Sequence, residues 1–374
     1  MSDVTPLFEP YTFRSGVQVR NRLVLAPMTT GSADPDDSVS QAELDYVARR
    51  SAGVGLAITA VAYVTPGGKG FHGQFGAEHD GRIDSLRALA NRIKAAGARA
   101  VLQIFHAGHN SPPELVQGDV TSASDVPSPQ PQRAGVPVRA LSGDEVQAIV
   151  RDFGQATRRA IEAGFDGVEI HGANGYLIQQ FVSAHSNRRS DEWGGSLERR
   201  LRFPEAIIDE VQRASRQAQT PFLVGYRFSP EEPHEHGLTM NDTFALLDLL
   251  RAKQLDYVHV SLQDYAGGPR RGGDPERSRL NQIAERLGDT PLIGVGNIWT
   301  PDDALNALTL GATFVALGRA LLLEPEWVQK VQAGQAGDLR TTFTSADRDA
   351  LTLPDPMWNM LTGFMIKDRL TDAS

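Results

Sequence analysis

Cysteine is absent from all 374 residues. Disulfides, thiol nucleophiles, thiolate zinc sites and cysteine-held iron–sulfur clusters are therefore excluded. No stretch reaches the roughly 18 continuous apolar residues of a membrane-spanning helix. The opening MSDVTPLFEP also lacks the apolar core of a secretion signal, so a cytoplasmic protein without membrane contact is expected. Positive charge is in deficit. With 37 Lys and Arg against 46 Asp and Glu, the net charge is −9, which offers no footprint for nucleic acid or anionic lipid. No lysine ends an inward strand position, which disfavours a Schiff-base aldolase. Residue-level repeats are missing as well.

What is present is a recurrence of pattern. Eight short apolar runs read as strands: Leu23–Met28, Val54–Ala62, Ala100–Phe105, Phe165–Ile170, Phe222–Phe228, Tyr257–Ser261, Leu292–Val295 and Thr313–Leu317. Helical periods fall between them at 41–52, 82–96, 142–163, 201–217, 241–253, 275–287 and 301–310. Ser142 with Glu145 forms a capping-box signature. Asn241 and Thr300-Pro301 read as further helix starts, and Gly97, Gly164 and Gly311 as stops. Eight β-α units without an opposed run of strands predict a (β/α)8 TIM barrel, one domain over 1–374, in place of a doubly wound sheet. Two segments lie outside the units. Residues 7–22, around Phe13-Arg-Ser-Gly16-Val17, predict a hairpin plugging the barrel bottom. Residues 107–141, rich in Pro, Ser and Gly, are too long for an ordinary connection and predict a capping segment after strand three.

The densest chemistry follows strand four, in Val168-Glu-Ile-His171-Gly-Ala-Asn174-Gly-Tyr176-Leu-Ile. An imidazole, a carboxamide and a phenol arrive within six positions at a strand's C-terminal end, where parallel α/β folds keep their reactive groups. Coiling of 171–176 would set His171 and Asn174 on one face as a donor pair for an anionic oxygen. The alternative is a polar strand end with a buried, hydrogen-bonded histidine. Alternation turns Glu169 the same way as His171 and puts Gln103, Arg227 and Thr29 around one mouth, a set suited to reading a flat heteroaromatic. Glu169 is expected to pair with Arg227, since a buried charge needs a partner. Gly296-Asn297 and Gly318-Arg319, at the ends of strands seven and eight, suit a phosphate. His234-Glu-His236 lacks a third ligand and predicts no metal site. His106 and His109 read as loop residues, and Gly267–Gly273 as a mobile loop.

With these residues assembled, the chain resembles the old yellow enzyme family of FMN-dependent ene-reductases over nearly its whole length. The likeness is carried by Asn21-Arg22-Leu-Val-Leu-Ala-Pro27-Met28-Thr29, Leu102-Gln103, Gly164 through Leu177, Ser186 through Arg199, and Gly318-Arg319-Ala-Leu-Leu. It implies FMN at the C-terminal mouth. Pro27, Met28 and Thr29 would contact the flavin ring, Ala60 and Gln103 its pyrimidine edge, and Arg227 its N1/O2 region, with His171 also at the cofactor. Gly296, Asn297, Gly318 and Arg319 would hold the phosphate. NADPH or NADH would reduce FMN, and the substrate would be a small electron-poor alkene. His171 and Asn174 would bind its carbonyl or nitro oxygen, and Tyr176 would protonate the α-carbon. Some bacterial relatives carry cysteine at Thr29 and a second histidine at Asn174, so the subclass stays open. The absence of cysteine excludes the iron–sulfur cluster of the larger dienoyl-CoA reductase relatives. Three alternatives remain: an FMN reductase for nitro compounds, nitrate esters or quinones; a flavin-binding sensor; and a phosphosugar-binding barrel without flavin. A homo-oligomer is compatible with all of them.

Overall fold

The computed structural model describes residues 2–371. Eight parallel strands close a barrel in which each strand pairs with its neighbours in the chain: β1 Leu23–Leu25, β2 Leu56–Tyr63, β3 Arg99–Phe105, β4 Gly167–Gly172, β5 Leu223–Phe228, β6 Tyr257–Val260, β7 Leu292–Gly294 and β8 Phe314–Leu317. All eight expected strands are there. The seven expected helices are there as well, at Gln41–Ser51, Ile83–Ala95, Gly143–Ala163, Arg202–Ser215, Met240–Ala252, Arg279–Leu287 and Pro301–Thr309. Ser142 and Glu145 close the capping box on the third, and Thr300 with Asp303 does the same on the last. Asn241 is not a cap. Thr239 and Asp242 box that helix instead, two residues earlier, because the threonine hydroxyl and the third-position carboxylate satisfy each other's amides. Beyond β8 the chain adds short helices that the pattern did not reveal, including Trp327–Gln332 and Asp355–Met360. Buried Arg50 ties this tail to the barrel by donating to the carbonyls of Leu351 and Thr352 at 2.6 and 3.2 Å. Among the described residues no helix is long and apolar enough to cross a membrane.

The predicted hairpin is Tyr11–Thr12 paired antiparallel with Gln18–Val19. Phe13 at its turn stacks on Phe314 of β8 at 5.1 Å and packs with Val101, Leu223 and Tyr257 from the inner faces of β3, β5 and β6. Ser15 N donates to Asp256, which also receives Val224 N. The barrel bottom is thus closed by an aromatic plug. Above it, the two-residue alternation of each strand turns the next inner side chains toward the axis: Gln103, Glu169 and His259, then His171 and Arg227.

The segment after β3 is irregular, with a small strand pair at Thr121–Ser122 and Arg139–Ala140. It is anchored beside the mouth. Asn110 Nδ2 donates to the Gly175 carbonyl at 2.8 Å, Ser128 Oγ donates to Asn110 Oδ1 at 2.5 Å, and Ser122 Oγ donates to Gln180 at 2.8 Å.

Candidate active site

β4 presents Glu169 and His171 to the barrel interior, both buried. Glu169 Oε1 accepts from Gln103 Nε2 at 2.6 Å, and Oε2 lies 3.0 Å from His259 Nδ1. The expected direct pair between Glu169 and Arg227 is not formed. Arg227 Nη2 donates to Ser261 Oγ at 3.2 Å, and its charge reaches Glu169 only through space. The physical reason is register. Gln103 lies directly opposite Glu169 on β3, whereas its β5 neighbour is Gly225, which has no side chain and leaves the way open to β6. His259 and Ser261 were missed from the sequence. The available signal was parity: both share the inner face of β6 with Tyr257.

Burial pushes the Glu169 carboxyl up, but the neighbouring His259 and Arg227, with the bonds from His259 and Gln103, outweigh it and hold it below the usual carboxylate range. Burial, helped by Arg227 and His259, drives His171 well below the usual histidine range, so its imidazole is neutral. Burial likewise lowers His259, which Glu169 only partly restores.

After β4 the chain does not coil at once. Asn174 (φ 59°) and Gly175 (φ 74°) make a left-handed turn, and the helix Leu177–Val182 starts with Tyr176 as its cap. His171 and Asn174 are therefore joined by the turn, not by one helical face. Asn174 is exposed at the mouth, and its Oδ1 accepts from Ser229 Oγ (3.2 Å) and Ser261 Oγ (3.0 Å). Ser261 also receives Arg227, so one hydroxyl links the carboxamide to the guanidinium. The Tyr176 ring sits edge-on to Phe105 at 4.6 Å and 5.4 Å from the His171 ring. Burial pushes its phenol up to about 12, against the nearby charges of Arg133 and Arg227.

Beside these residues a cavity of about 530 Å³ is lined by Pro27, Met28, Arg227, Gly296, Asn297, Gly318 and Arg319, among others. The family resemblance implies one ligand for all seven. Gly296 holds φ +126°, and a Cβ there would stand 2.7 Å from the Leu262 carbonyl, so only glycine fits. Arg319 Nη2 reaches Asn297 Oδ1 at 3.4 Å, and its guanidinium lies 5.3 Å from the Trp299 ring. Trp299 was not foreseen; its Nε1 donates to Asn297 Oδ1 at 2.8 Å.

Ala60 lies where β2 gains one residue on β3, between Ile58 and Val61, a bulge beside Gln103. Thr29 is half-buried next to Thr30, whose hydroxyl donates to buried Glu43. The donor set fits a polar-edged planar cofactor. His171 Nδ1 and Arg227 Nε are buried without a partner, and Gln103 Oε1 accepts from no described residue. The first two, being buried, are costly unless a ligand meets them.

Other candidates separate from this site. His234 pairs with Glu232 at 3.3 Å and packs on His185, and among the described residues no His/Cys/Asp/Glu group is arranged for a metal. His106 and His109 lie in the irregular segment after β3, as expected, and both are buried. The 267–273 loop is pinned, since the amides of Arg270 and Arg271 both donate to Glu231.

Comparison with known proteins agrees with this geometry. Residues 6–338 match the NADH:flavin oxidoreductase / NADH oxidase family. The chain is 52% identical over 359 residues to a probable NADH-dependent flavin oxidoreductase, YqiG, of Bacillus subtilis, covering 95% of each. It is 39% identical to an NADH:fumarate oxidoreductase of Klebsiella pneumoniae, spanning 97% of this chain but 40% of that protein. Among solved structures, an old yellow enzyme homologue from Zymomonas mobilis superposes with a TM-score of 0.76 at 25% identity, covering 88% of this chain and 92% of that one. Morphinone reductase in complex with tetrahydroNAD gives 0.75 at 28% identity, covering 88% and 91%.

Proposed function

Because the chain belongs to the NADH:flavin oxidoreductase / NADH oxidase family, and is thus an NAD(P)H-dependent flavin oxidoreductase with FMN as cofactor, we propose that it reduces the activated C=C bond of α,β-unsaturated carbonyl or nitro compounds. The observation that carries this reading is the Tyr176 phenol beside the neutral His171 imidazole at the mouth of the FMN barrel.

Gly296, Asn297, Gly318 and Arg319 would hold the FMN phosphate through a close backbone approach and a guanidinium. Pro27, Met28 and Thr29 would bear on the ring, Ala60 and Gln103 on its pyrimidine edge, and Arg227 on the edge that gains negative charge. When bound there, FMN would supply the redox chemistry, hydride transfer between NAD(P)H and the β-carbon of the alkene.

His171 and Asn174 donate to the carbonyl or nitro oxygen of the substrate and stabilise the charge developing there. His171 must act as a neutral donor, since burial beside Arg227 keeps the imidazole uncharged. Tyr176 keeps its proton at neutral pH and delivers it to the α-carbon. Phe105 and Phe71, packed around the phenol, orient it. All of these groups belong to one barrel domain, taken to span 1–374.

The test is anaerobic reduction with NADPH or NADH followed by addition of 2-cyclohexenone, with the visible flavin band as readout. Bleaching and then recovery on the enone supports the reading. Bleaching without recovery moves the function to other acceptors, such as nitrate esters or quinones.

A further inference from the structure

Glu169 is a charge inside the barrel that neither binds the proposed substrate nor moves a proton. Burying a carboxylate is costly, and it persists only where partners repay the lost hydration. Its partners face the cofactor cavity or the barrel axis beneath it: Gln103 at 2.6 Å, His259 at 3.0 Å and, through space, Arg227 and the Tyr257 phenol. An ionised carboxylate offers only lone pairs. Gln103 must therefore turn its NH2 toward Glu169, which leaves its carbonyl Oε1 as the group without a protein partner. His259 donates from Nδ1, with its Nε2 buried and unpaired, and burial pulls its imidazole below the usual histidine range. Within the cluster the negative charge of Glu169 stands against the positive charge of Arg227.

Resting on the assignment of FMN to this mouth, we propose that Glu169 is a positioning residue with two effects. It fixes Gln103 so that an acceptor faces the imide N–H of the flavin, and its charge opposes Arg227, lowering the reduction potential of bound FMN. The reasoning is electrostatic. FMN gains negative charge on reduction, Arg227 favours that charge, and a carboxylate in the same low-dielectric interior disfavours it. The cluster thereby limits how strongly the site traps electrons and keeps reduced FMN able to give them up.

Glu169→Gln tests this on the purified holoenzyme. A glutamine amide can still accept from Gln103, and it can donate to His259 once the imidazole changes tautomer, so the hydrogen bonds persist while the charge goes. With FMN equilibrated against a reference dye, E169Q should shift toward reduced FMN by about tenfold, or about 30 mV for a two-electron couple. Glu169→Asp keeps the charge and should stay within about threefold of wild type. No shift in E169Q, a shift the other way, or equal shifts in E169Q and E169D would overturn the proposal.

If E169Q does not fold, the wild-type apoprotein decides. It should bind 3-methyl-FMN at least about tenfold more weakly than FMN, because the methyl group replaces the N–H that Gln103 accepts. Equal affinities would overturn the proposal. A wild-type chain that takes up no FMN at all would defeat the flavin assignment itself, and this inference with it.

Discussion

The Tyr176 phenol and the His171 imidazole stand with ring centroids 5.4 Å apart and planes inclined by 47°. Phe105 touches both, at 4.6 Å from the phenol and 5.7 Å from the imidazole, so one aromatic wall sets the relation between proton donor and oxygen binder. Tyr176→Phe keeps this packing and removes only the acidic proton. Alkene reduction should slow by about a hundredfold or more, while reduction of the flavin by NADH stays unchanged. Stopped-flow measurement of the two half-reactions separates these outcomes, and an equal loss in both would remove Tyr176 from the proton-donor role.

Phenols mimic the anionic oxygen that His171 and Asn174 are proposed to bind. The double variant His171→Ala with Asn174→Ala should lose phenol affinity by about a hundredfold, the equivalent of two modest hydrogen bonds. FMN content should remain near wild type, since the phosphate residues lie elsewhere. Phenol titrations followed in the flavin spectrum would measure both.

Arg319 is assigned to the phosphate alone. In Arg319→Ala, FMN affinity should fall by about ten- to a hundredfold, the range for a hydrogen bond to a charged group. Riboflavin, which has no phosphate, should bind as before. A parallel loss for both ligands would mean that Arg319 acts on the loop through Asn297 and Trp299.

Glu43 makes stability depend on pH. Burial raises its carboxyl to about 7, although Thr30, Ser32 and Arg50 pull it down. A folded value raised above the unfolded one contributes stability that is complete at low pH and is lost as pH rises through about 7. Glu43→Gln cannot titrate. Relative to wild type it should gain about 3 kcal/mol between pH 5 and pH 8.5, read as unfolding free energies at the two pH values. A constant difference would show that Glu43 is ionised throughout.

Strands were legible because each barrel strand is a short apolar run closed by glycine, proline or a polar residue, and that pattern survives without any partner in view. Helix starts were legible where a capping pair announced them, as at Ser142 and Thr300, and Asn241 misled because an equally good cap stood two residues upstream. Side chains that answer to one strand's parity, such as Gln103 and Arg227, were found. Pairings that depend on what the intervening strand omits were not. Glu169 reaches His259 across Gly225, a relation visible only once three strands lie side by side. The C-terminal tail was obscure for a related reason: its short helices are held by Arg50 and by packing, not by a period of their own.

The Phe13 plug has a kinetic consequence. With the bottom of the barrel sealed by stacked rings, the donor and the acceptor proposed above would both reach the cavity from the mouth. Where both bind over the same face of the flavin, oxidised donor would have to depart before the acceptor enters. Turnover would then follow a ping-pong order: double-reciprocal rate plots should run parallel, and each substrate in excess should inhibit by occupying the form of the enzyme meant for the other.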